Sequence, residues 1–178
     1  DGRTLGQLVT DAGPLTVARS VALARQICLA LHAAHKLGVV HRDIKPENVF
    51  VTRAADGSDF VKVLDFGIAK QLRARAKQTT LGQVMGTPFY MPPEQAQGRA
   101  VNARADLYAL GVVLWELLSG QSYETVKGRA PLLTVSATGE AIDDRLAMLV
   151  SACLEAEEKA RPASAEEVGK VLAAIGPS

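Results

Sequence analysis

A group of polar and charged side chains interrupts an apolar stretch at positions 39–51, which reads VVHRDIKPENVFV. Its centre carries an imidazole, two carboxylates, two cations and an amide within the eight positions 41–48. A turn between buried segments does not need such a centre, and a solvated loop does not need apolar flanks. The stretch is therefore either a turn that happens to be charged or the working part of an enzyme. His41 draws attention as a general base, because an imidazole titrates near neutral pH.

Four further motifs follow in order along the chain. These are D-F-G at 65–67, G-T-P-F-Y-M-P-P-E at 86–94, D-L-Y-A-L-G at 106–111 and R-P at 161–162. With H-R-D-I-K-P-E-N at 41–48, the series resembles the eukaryotic-like protein kinases, and the run V-M-G-T-P-F-Y-M-x-P-E-Q is similar to bacterial members. The resemblance covers essentially the whole chain. It implies a mainly α fold, the helical C-terminal lobe of a kinase, with a small β-hairpin that carries the catalytic and metal-binding loops.

The resemblance also assigns the chemistry. Asp43 becomes the base that orients the substrate hydroxyl and accepts its proton, and Lys45 places a positive charge at the γ-phosphate of ATP. Asn48 and Asp65 become ligands of Mg²⁺ or Mn²⁺, since these cations prefer oxygen ligands. In this family a lysine at position 45 accompanies Ser/Thr specificity, and Thr87 matches the loop threonine near the base. The implied function is transfer of the ATP γ-phosphate to Ser/Thr hydroxyls of protein substrates.

A regulatory role is implied for Arg42, which directly precedes the base. In kinases with this arginine, a phosphate on the activation loop pairs with it and orders the loop. Thr79 and Thr80 are the candidate phosphorylation sites, with ordinary loop threonines as the alternative reading. The basic residues at 73–77 are either a solvated run or a docking element for phosphate or substrate.

Structural roles are implied for three residues around the catalytic loop. In this context His41 is expected to pack and to form hydrogen bonds, and not to act as the base. Phe66 is expected to pack inward. Gly67 gives the backbone the freedom to turn after the D-F-G aspartate.

Three more residues are implied to join the loop to the helical core. Asp106, inside the most apolar helix, is expected to hold the backbone of the catalytic loop. Glu94 and Arg161 resemble the ion pair that ties the end of the activation segment to the helical lobe. The segment reads P-P-E where A-P-E is usual in the family.

Hydrophobic periodicity predicts the helices that must position these residues. Thr16 is the predicted cap of the first helix, whose apolar residues repeat at three- and four-residue spacing. The helix at 103–119 is apolar nearly all round and is therefore expected to be buried, with Trp115 in the core. The predicted helices are 16–36, 103–119, 143–153 and 165–174.

Two β-prone runs, Val49–Val51 and Val61–Leu64, flank an Asp-Gly turn and predict a hairpin. The hairpin would bring Asn48 and Asp65 together at one edge. Positions 65–100 show no periodicity, which is typical of a functional or disordered loop. Positions 121–140 are broken by glycine and proline and lack the Pro-Phe that usually follows this helix in kinases.

Composition is that of an ordinary globular domain: 178 residues, 48% hydrophobic and 22% charged. The net charge of +1 offers no general attraction for nucleic acid or an anionic membrane. The longest apolar run, 107–115, is shorter than the roughly 18 residues of a membrane-spanning helix. No nucleic-acid partner and no membrane segment within this chain are therefore expected. The catalytic domain is expected to be cytoplasmic, in a parent protein that could be membrane-anchored. Cys28 and Cys153 are expected to be buried free thiols, with a disulfide or metal ligation as the alternatives.

The features of the other kinase lobe are absent from the sequence. No two of the fifteen glycines are two positions apart, which excludes G-x-G-x-x-G, and no lysine precedes Lys36. Residues 1–178 are therefore expected to be a partial kinase domain that begins just after the hinge. Its partner would be the missing N-terminal lobe, and the isolated chain would bind ATP poorly and turn over slowly or not at all.

Two other functions compete with this reading. A pseudokinase or orphan lobe with a regulatory or scaffolding role would keep the fold, but it would not need the intact catalytic residues. A small-molecule phosphotransferase can share an H-x-D-x-x-x-x-N loop, but it does not need the long segment that ends in G-T-P-F-Y-M-P-P-E. The substrate, the activating signal and the oligomeric state stay undetermined by the sequence.

Overall fold

The computed structural model describes residues 2–66, 88–126 and 129–175. Within these ranges the chain is mainly helical, as predicted, with one small antiparallel sheet. The strands are β1 (Gly2–Thr4), β2 (Val49–Arg53) and β3 (Asp59–Val63), and the helices are α1 (Leu5–Ala12), α2 (Val17–Lys36), α3 (Pro93–Ala96), α4 (Arg104–Ser119), α5 (Asp144–Cys153) and α6 (Ala165–Ile175). Short 3₁₀ turns occur at Pro46–Asn48, Pro88–Tyr90, Tyr123–Val126 and Glu158–Ala160.

Helix α2 begins at the predicted cap. The Thr16 hydroxyl accepts a hydrogen bond from the Arg19 N–H at 3.2 Å. The carboxylate of Glu140, from a distant loop, accepts the Val17 N–H at 2.9 Å. Both bonds satisfy donors that the first helical turn leaves free. After the helix ends at Lys36, Gly38 adopts a φ of 73°, which lets the chain turn toward the charged stretch at 41–48.

Helix α4 is the centre of the core, as its all-round apolar pattern predicts. Thirteen of its 16 residues are buried, including Asp106 and Trp115. A glycine is required at position 111, because a Cβ there would lie 2.7 Å from the Cβ of Cys153 on α5. Helices α2 and α5 pack against it, and α6 packs against α2 and α5, so that the core is continuous from the sheet to the C-terminal helix.

The predicted hairpin is confirmed, but it belongs to a three-stranded sheet. Strands β2 and β3 form the hairpin, with Val51 opposite Val61, but β1 pairs with the other edge of β2. Three residues with no apolar alternation carry no strand signal, so β1 was missed. Helix α1 was missed as well, although the Thr4–Gln7 capping box at its start is a recognisable signal.

The Gln26 side chain of α2 attaches the sheet to the helical body. Its amide donates to the Asp59 carbonyl at 2.9 Å and accepts from the Val61 N–H at 2.9 Å. The amide therefore takes the place of a further strand at the β3 edge, and the hairpin is fixed in orientation against α2.

Both cysteines are buried and unpaired, as predicted. Burial raises the pKa of each thiol to about 12, because a thiolate would lose its hydration in the core. Neither thiol is therefore set up as a nucleophile.

Positions 121–140 contain the turn at Tyr123–Val126 and a single bridge between Val135 and Ala141. The Ala137 N–H donates to the Leu118 carbonyl at 2.8 Å, which attaches this segment to the end of α4. Across the described ranges, none of the helices has the combination of length and apolar character needed to cross a membrane.

Candidate active site

The charged stretch at 41–48 connects the end of α2 to the start of β2. Two fully buried side chains, Ile44 and Val49, anchor it in the core. On either side of Ile44, the Asp43 and Lys45 side chains are partly exposed, at 24% and 22%. The loop is thus held by its apolar residues while its charged groups remain accessible to a substrate.

Asp43, Lys45 and Asn48 meet in this loop. The Asn48 amide nitrogen donates to the Asp43 carbonyl at 2.8 Å and to Asp43 Oδ2 at 3.2 Å. The ammonium nitrogen of Lys45 lies 4.0 Å from the same Oδ2. A carboxylate, an ammonium group and an amide are therefore placed together, with the carboxylate orientation fixed by hydrogen bonds.

Asn48 and Asp65 approach one another through the hairpin. The Leu64 N–H donates to the Asn48 carbonyl at 2.8 Å, immediately beyond the pairing of Val49 with Val63. Asp65 is exposed and adopts a φ of 54°, an uncommon conformation for a residue with a side chain. The Asn48 amide nitrogen is committed to Asp43, which leaves its amide oxygen for another partner. One carboxylate and one amide oxygen at the same edge are suitable donors for Mg²⁺.

His41 is fully buried and its two ring nitrogens have separate partners. Nε2 lies 2.7 Å from the Leu64 carbonyl, which can only accept, so Nε2 carries the proton. Nδ1 then accepts the Asp43 N–H at 3.2 Å. The Phe66 ring packs edge-to-face on this imidazole with centroids 4.8 Å apart. His41 therefore links the catalytic loop to the D-F-G strand end and has no proton available for a substrate.

Asp106 lies beneath the loop with a side chain that has no exposure to solvent. Its Oδ2 accepts the His41 N–H and its Oδ1 accepts the Arg42 N–H, both at 2.8 Å. His35 Nε2 lies 2.7 Å from Oδ2. The motif series did not single out His35, because helical spacing alone does not show which residue faces α4.

Arg161 and Glu94 form a buried ion pair. The guanidinium of Arg161 donates two hydrogen bonds, of 2.7 and 2.8 Å, to the two carboxylate oxygens of Glu94. Arg161 also donates to the carbonyls of Glu155, Arg104 and Ala156. Burial opposes ionisation of Glu94, but the hydrogen bonds and charge of Arg161 outweigh it and hold the pKa of this carboxyl below its usual value. The start of α3 is therefore fixed to the helical core.

A cleft of about 280 Å³ opens beside the loop, with Glu47, Tyr90 and Glu116 in its wall. Glu116 accepts hydrogen bonds from the Tyr90 hydroxyl at 2.5 Å and the Tyr123 N–H at 2.8 Å. Burial, with the charge of Glu47 as a smaller contribution, raises the pKa of Glu116 despite these bonds. The motif series did not single out Glu116 because it occupies the buried helix.

Gln95 is the last residue of the V-M-G-T-P-F-Y-M-x-P-E-Q run, but the sequence assigned it no role of its own. Its amide nitrogen donates to the Arg42 carbonyl at 3.1 Å, which joins α3 to the catalytic loop. The remaining predicted site residues, Gly67, Thr79, Thr80 and Thr87, lie outside the described residues. No group of three or more His, Cys, Asp or Glu residues in the described ranges forms a metal cluster.

The sequence and the fold of this chain are similar to those of known protein kinases. The model of the protein kinase domain matches residues 1–171. The chain is 54% identical over 108 residues to the serine/threonine-protein kinase Pkn1 of Myxococcus xanthus, a match that covers 61% of this chain and 16% of Pkn1. It is 35% identical over 187 residues to pkn2 of the same organism, covering 98% of this chain and 22% of pkn2.

The solved kinase domain of PknI from Mycobacterium tuberculosis has a similar structure. The TM-score is 0.71 at 25% sequence identity, and the match covers 99% of this chain and 63% of that domain. The chain spans less than a quarter of the length of the two curated relatives. A family match over 171 residues, on a fold shared with a solved kinase domain, identifies this chain as a member of the protein kinase family.

Proposed function

We propose that this chain is the helical lobe of an ATP-dependent protein serine/threonine kinase. The single observation that carries the proposal is the arrangement around Asp43. Its carboxylate is held by the Asn48 amide at 3.2 Å and faces Lys45 at 4.0 Å. The Leu64–Asn48 hydrogen bond brings Asp65 to the same edge. The names of the related proteins support this choice of reaction.

In the proposed reaction the acceptor hydroxyl approaches Asp43, which orients it and receives its proton. The hydroxyl oxygen forms a bond to the γ-phosphorus of ATP while the bond to the β,γ-bridging oxygen breaks, and ADP leaves. Lys45 neutralises charge on the transferred phosphoryl group. Asn48 and Asp65 would hold Mg²⁺ or Mn²⁺, which supplies charge neutralisation at the phosphates. Positioning and charge account for most of the catalysis, because the phosphoryl transition state needs little covalent help.

Protein substrates are proposed because of the segment that follows the hairpin. It ends in the turn Pro88–Tyr90, where the Tyr90 hydroxyl donates to Glu116 of α4, and in helix α3, which contacts the catalytic loop through Gln95. A small-molecule phosphotransferase does not need such a segment. The scaffolding alternative gains no support from the site, since binding alone does not require the contacts among Asp43, Lys45 and Asn48.

The proposed domain covers residues 1–178 and corresponds to the C-terminal lobe. The match to the PknI domain leaves more than a third of that domain unpaired. The sequence also lacks the glycine-rich loop and the strand lysine that complete a nucleotide site. We infer that an N-terminal lobe is the structural partner and that the isolated chain binds ATP weakly.

The test uses the full-length protein that contains this chain, with ATP, Mg²⁺ and a general protein acceptor. Replacement of Asp43 by Asn should reduce phosphate transfer by about 10²–10⁴-fold, since it removes the proton acceptor. Replacement of Asp65 by Asn should reduce it steeply and raise the Mg²⁺ requirement. The matched control is Asp144→Asn, an exposed position at the start of α5, which should leave transfer unchanged. Full activity in Asp43→Asn would remove the mechanism, and no transfer by the wild type would favour the scaffolding function.

A further inference from the structure

The peptide unit that joins Arg42 to Asp43 has a hydrogen bond at each end. Its carbonyl, that of Arg42, accepts from the Gln95 amide nitrogen at 3.1 Å. Its N–H, that of Asp43, donates to His41 Nδ1 at 3.2 Å. The orientation of this peptide sets the direction in which the Asp43 side chain leaves the backbone.

The conformation needs this support. Arg42 has a φ of 65°, in the left-handed region that residues with a Cβ rarely occupy. Asp106 holds the preceding peptide through the Arg42 N–H at 2.8 Å. That bond does not fix the following peptide, whose rotation about ψ of Arg42 is opposed by the Gln95 bond at its carbonyl and the His41 bond at its N–H.

Gln95 itself is firmly held. It follows Glu94, whose carboxylate is bound to the buried Arg161 by two hydrogen bonds of 2.7 and 2.8 Å. Any shift of the Gln95 backbone would therefore disturb that pair. Helix α3 thus joins the catalytic loop to the core at a fixed distance.

Packing alone does not explain a glutamine at this position. The Gln95 Oε1 atom is buried, and none of the described residues donates a hydrogen bond to it. A buried acceptor without a partner is destabilising, and an apolar side chain of the same length would avoid that cost. The amide nitrogen is the part of the side chain that makes a contact, and the contact is with the catalytic loop.

We propose that Gln95 is a positioning residue for phosphate transfer, acting through the Arg42 carbonyl to set the orientation of Asp43. The proposal rests on the proposed kinase function. It assigns to Gln95 an effect on the chemical step, because its described hydrogen bond goes to the Arg42 carbonyl and not to Lys45 or to the proposed metal ligands Asn48 and Asp65.

The test compares three variants in the full-length protein that contains this chain. Gln95→Leu keeps the size and removes the donor, so kcat should fall about tenfold with KM for ATP within twofold. Gln95→Glu places a carboxylate against the Arg42 carbonyl at neutral pH, but its protonated form can donate a hydrogen bond. The kcat of Gln95→Glu relative to that of the wild type should therefore rise as the pH falls. The kcat of Gln95→Leu relative to that of the wild type should not change with pH. Gln97→Leu, an exposed position two residues away, is the control and should retain wild-type kcat.

A second measurement separates this proposal from the proposed function. Hydrogen exchange of the Asp43 amide should accelerate about tenfold in Gln95→Leu and stay unchanged in Gln97→Leu, while α4 keeps its protection in both. If the wild type transfers no phosphate, the kinase proposal fails and the exchange rates alone decide whether Gln95 holds the loop. Unchanged exchange at Asp43, or a Gln95→Leu enzyme with wild-type kcat, would overturn the positioning role.

Discussion

Glu94 and Arg161 are 67 residues apart in sequence and meet through two hydrogen bonds of 2.7 and 2.8 Å. The guanidinium side chain has no solvent exposure and the carboxylate only 3%. Arg161 also lies over the Tyr108 ring, 5.0 Å from its centroid. The pair therefore joins α3, α4 and the segment before α6 at one buried point.

Replacement of Arg161 by Met should lower the free energy of unfolding by about 3–5 kcal/mol, because it leaves the Glu94 carboxylate buried without a counter-ion. Urea unfolding of the chain measures this difference. The matched control is Lys170→Met, which breaks the Lys170–Glu166 pair, 73% and 51% exposed. An exposed pair one helical turn apart contributes about 0.3–0.5 kcal/mol. Equal losses in the two variants would contradict the structural importance of the buried pair.

The same pair predicts a pH dependence. The pKa of Glu94 lies below its ordinary value of 4.5 in the folded state, since Arg161 outweighs the effect of burial. Its ionisation therefore stabilises the fold at pH values above the ordinary pKa. This contribution is lost as the pH falls through the lowered pKa of the folded state. The gap in unfolding free energy between wild type and Glu94→Gln should narrow on acidification below pH 4.5. A gap that widens in acid would show that the pKa shift has the opposite sign.

Motif order and periodicity account for much of this site, but not for contacts that depend on how helices cross. The expected partnership of Glu94 with Arg161 came from the resemblance to protein kinases, and the apolar patterns predicted α2 and α4 to within a residue or two. The contact of His35 with Asp106 could not be read in this way, because it depends on where the end of α2 passes the start of α4. Strand β1 was missed for a similar reason: its pairing with β2 is a tertiary contact that overrides weak local preference.

Replacement of His35 by Ala should cost about 1–3 kcal/mol of unfolding free energy, because it removes one partner of the fully buried Asp106 carboxylate. His32 lies on the same helix, about one turn earlier, and forms no hydrogen bond or ion pair within the part of the chain that the structure describes. The His32→Ala control should therefore change the unfolding free energy by less than about 0.5 kcal/mol. Urea unfolding of both variants at pH 7 gives the comparison, and a larger loss in His32→Ala would exclude the assigned role of His35.

Glu116 should show the opposite pH behaviour to Glu94. Burial, assisted by the nearby charge of Glu47, raises its pKa in the folded state above the ordinary value of 4.5. The folded state therefore loses stability as the pH rises from the ordinary value through the raised pKa, because the native state must give up a proton that it holds more tightly than the unfolded state does. Glu116→Gln removes that loss, so its stability relative to wild type should increase from pH 4 to pH 7. The exposed Glu124→Gln is the control, and a relative stability of Glu116→Gln that falls toward pH 7 would contradict the argument.

Two helical glycines should respond in opposite directions to the same substitution. At position 111 a new Cβ would lie 2.7 Å from Cβ of Cys153 and 3.4 Å from its backbone carbon, so α4 and α5 would have to separate. Gly111→Ala should therefore destabilise the chain by about 1–3 kcal/mol, the usual cost of overpacking. At position 169 the new Cβ would lie 3.5 Å from Cβ of Cys28, an ordinary contact, and alanine should stabilise α6 by about 0.5–1 kcal/mol through its helix propensity. Urea midpoints of the two variants provide the measurement, and shifts of the same sign would show that the α4–α5 contact is looser than the structure indicates.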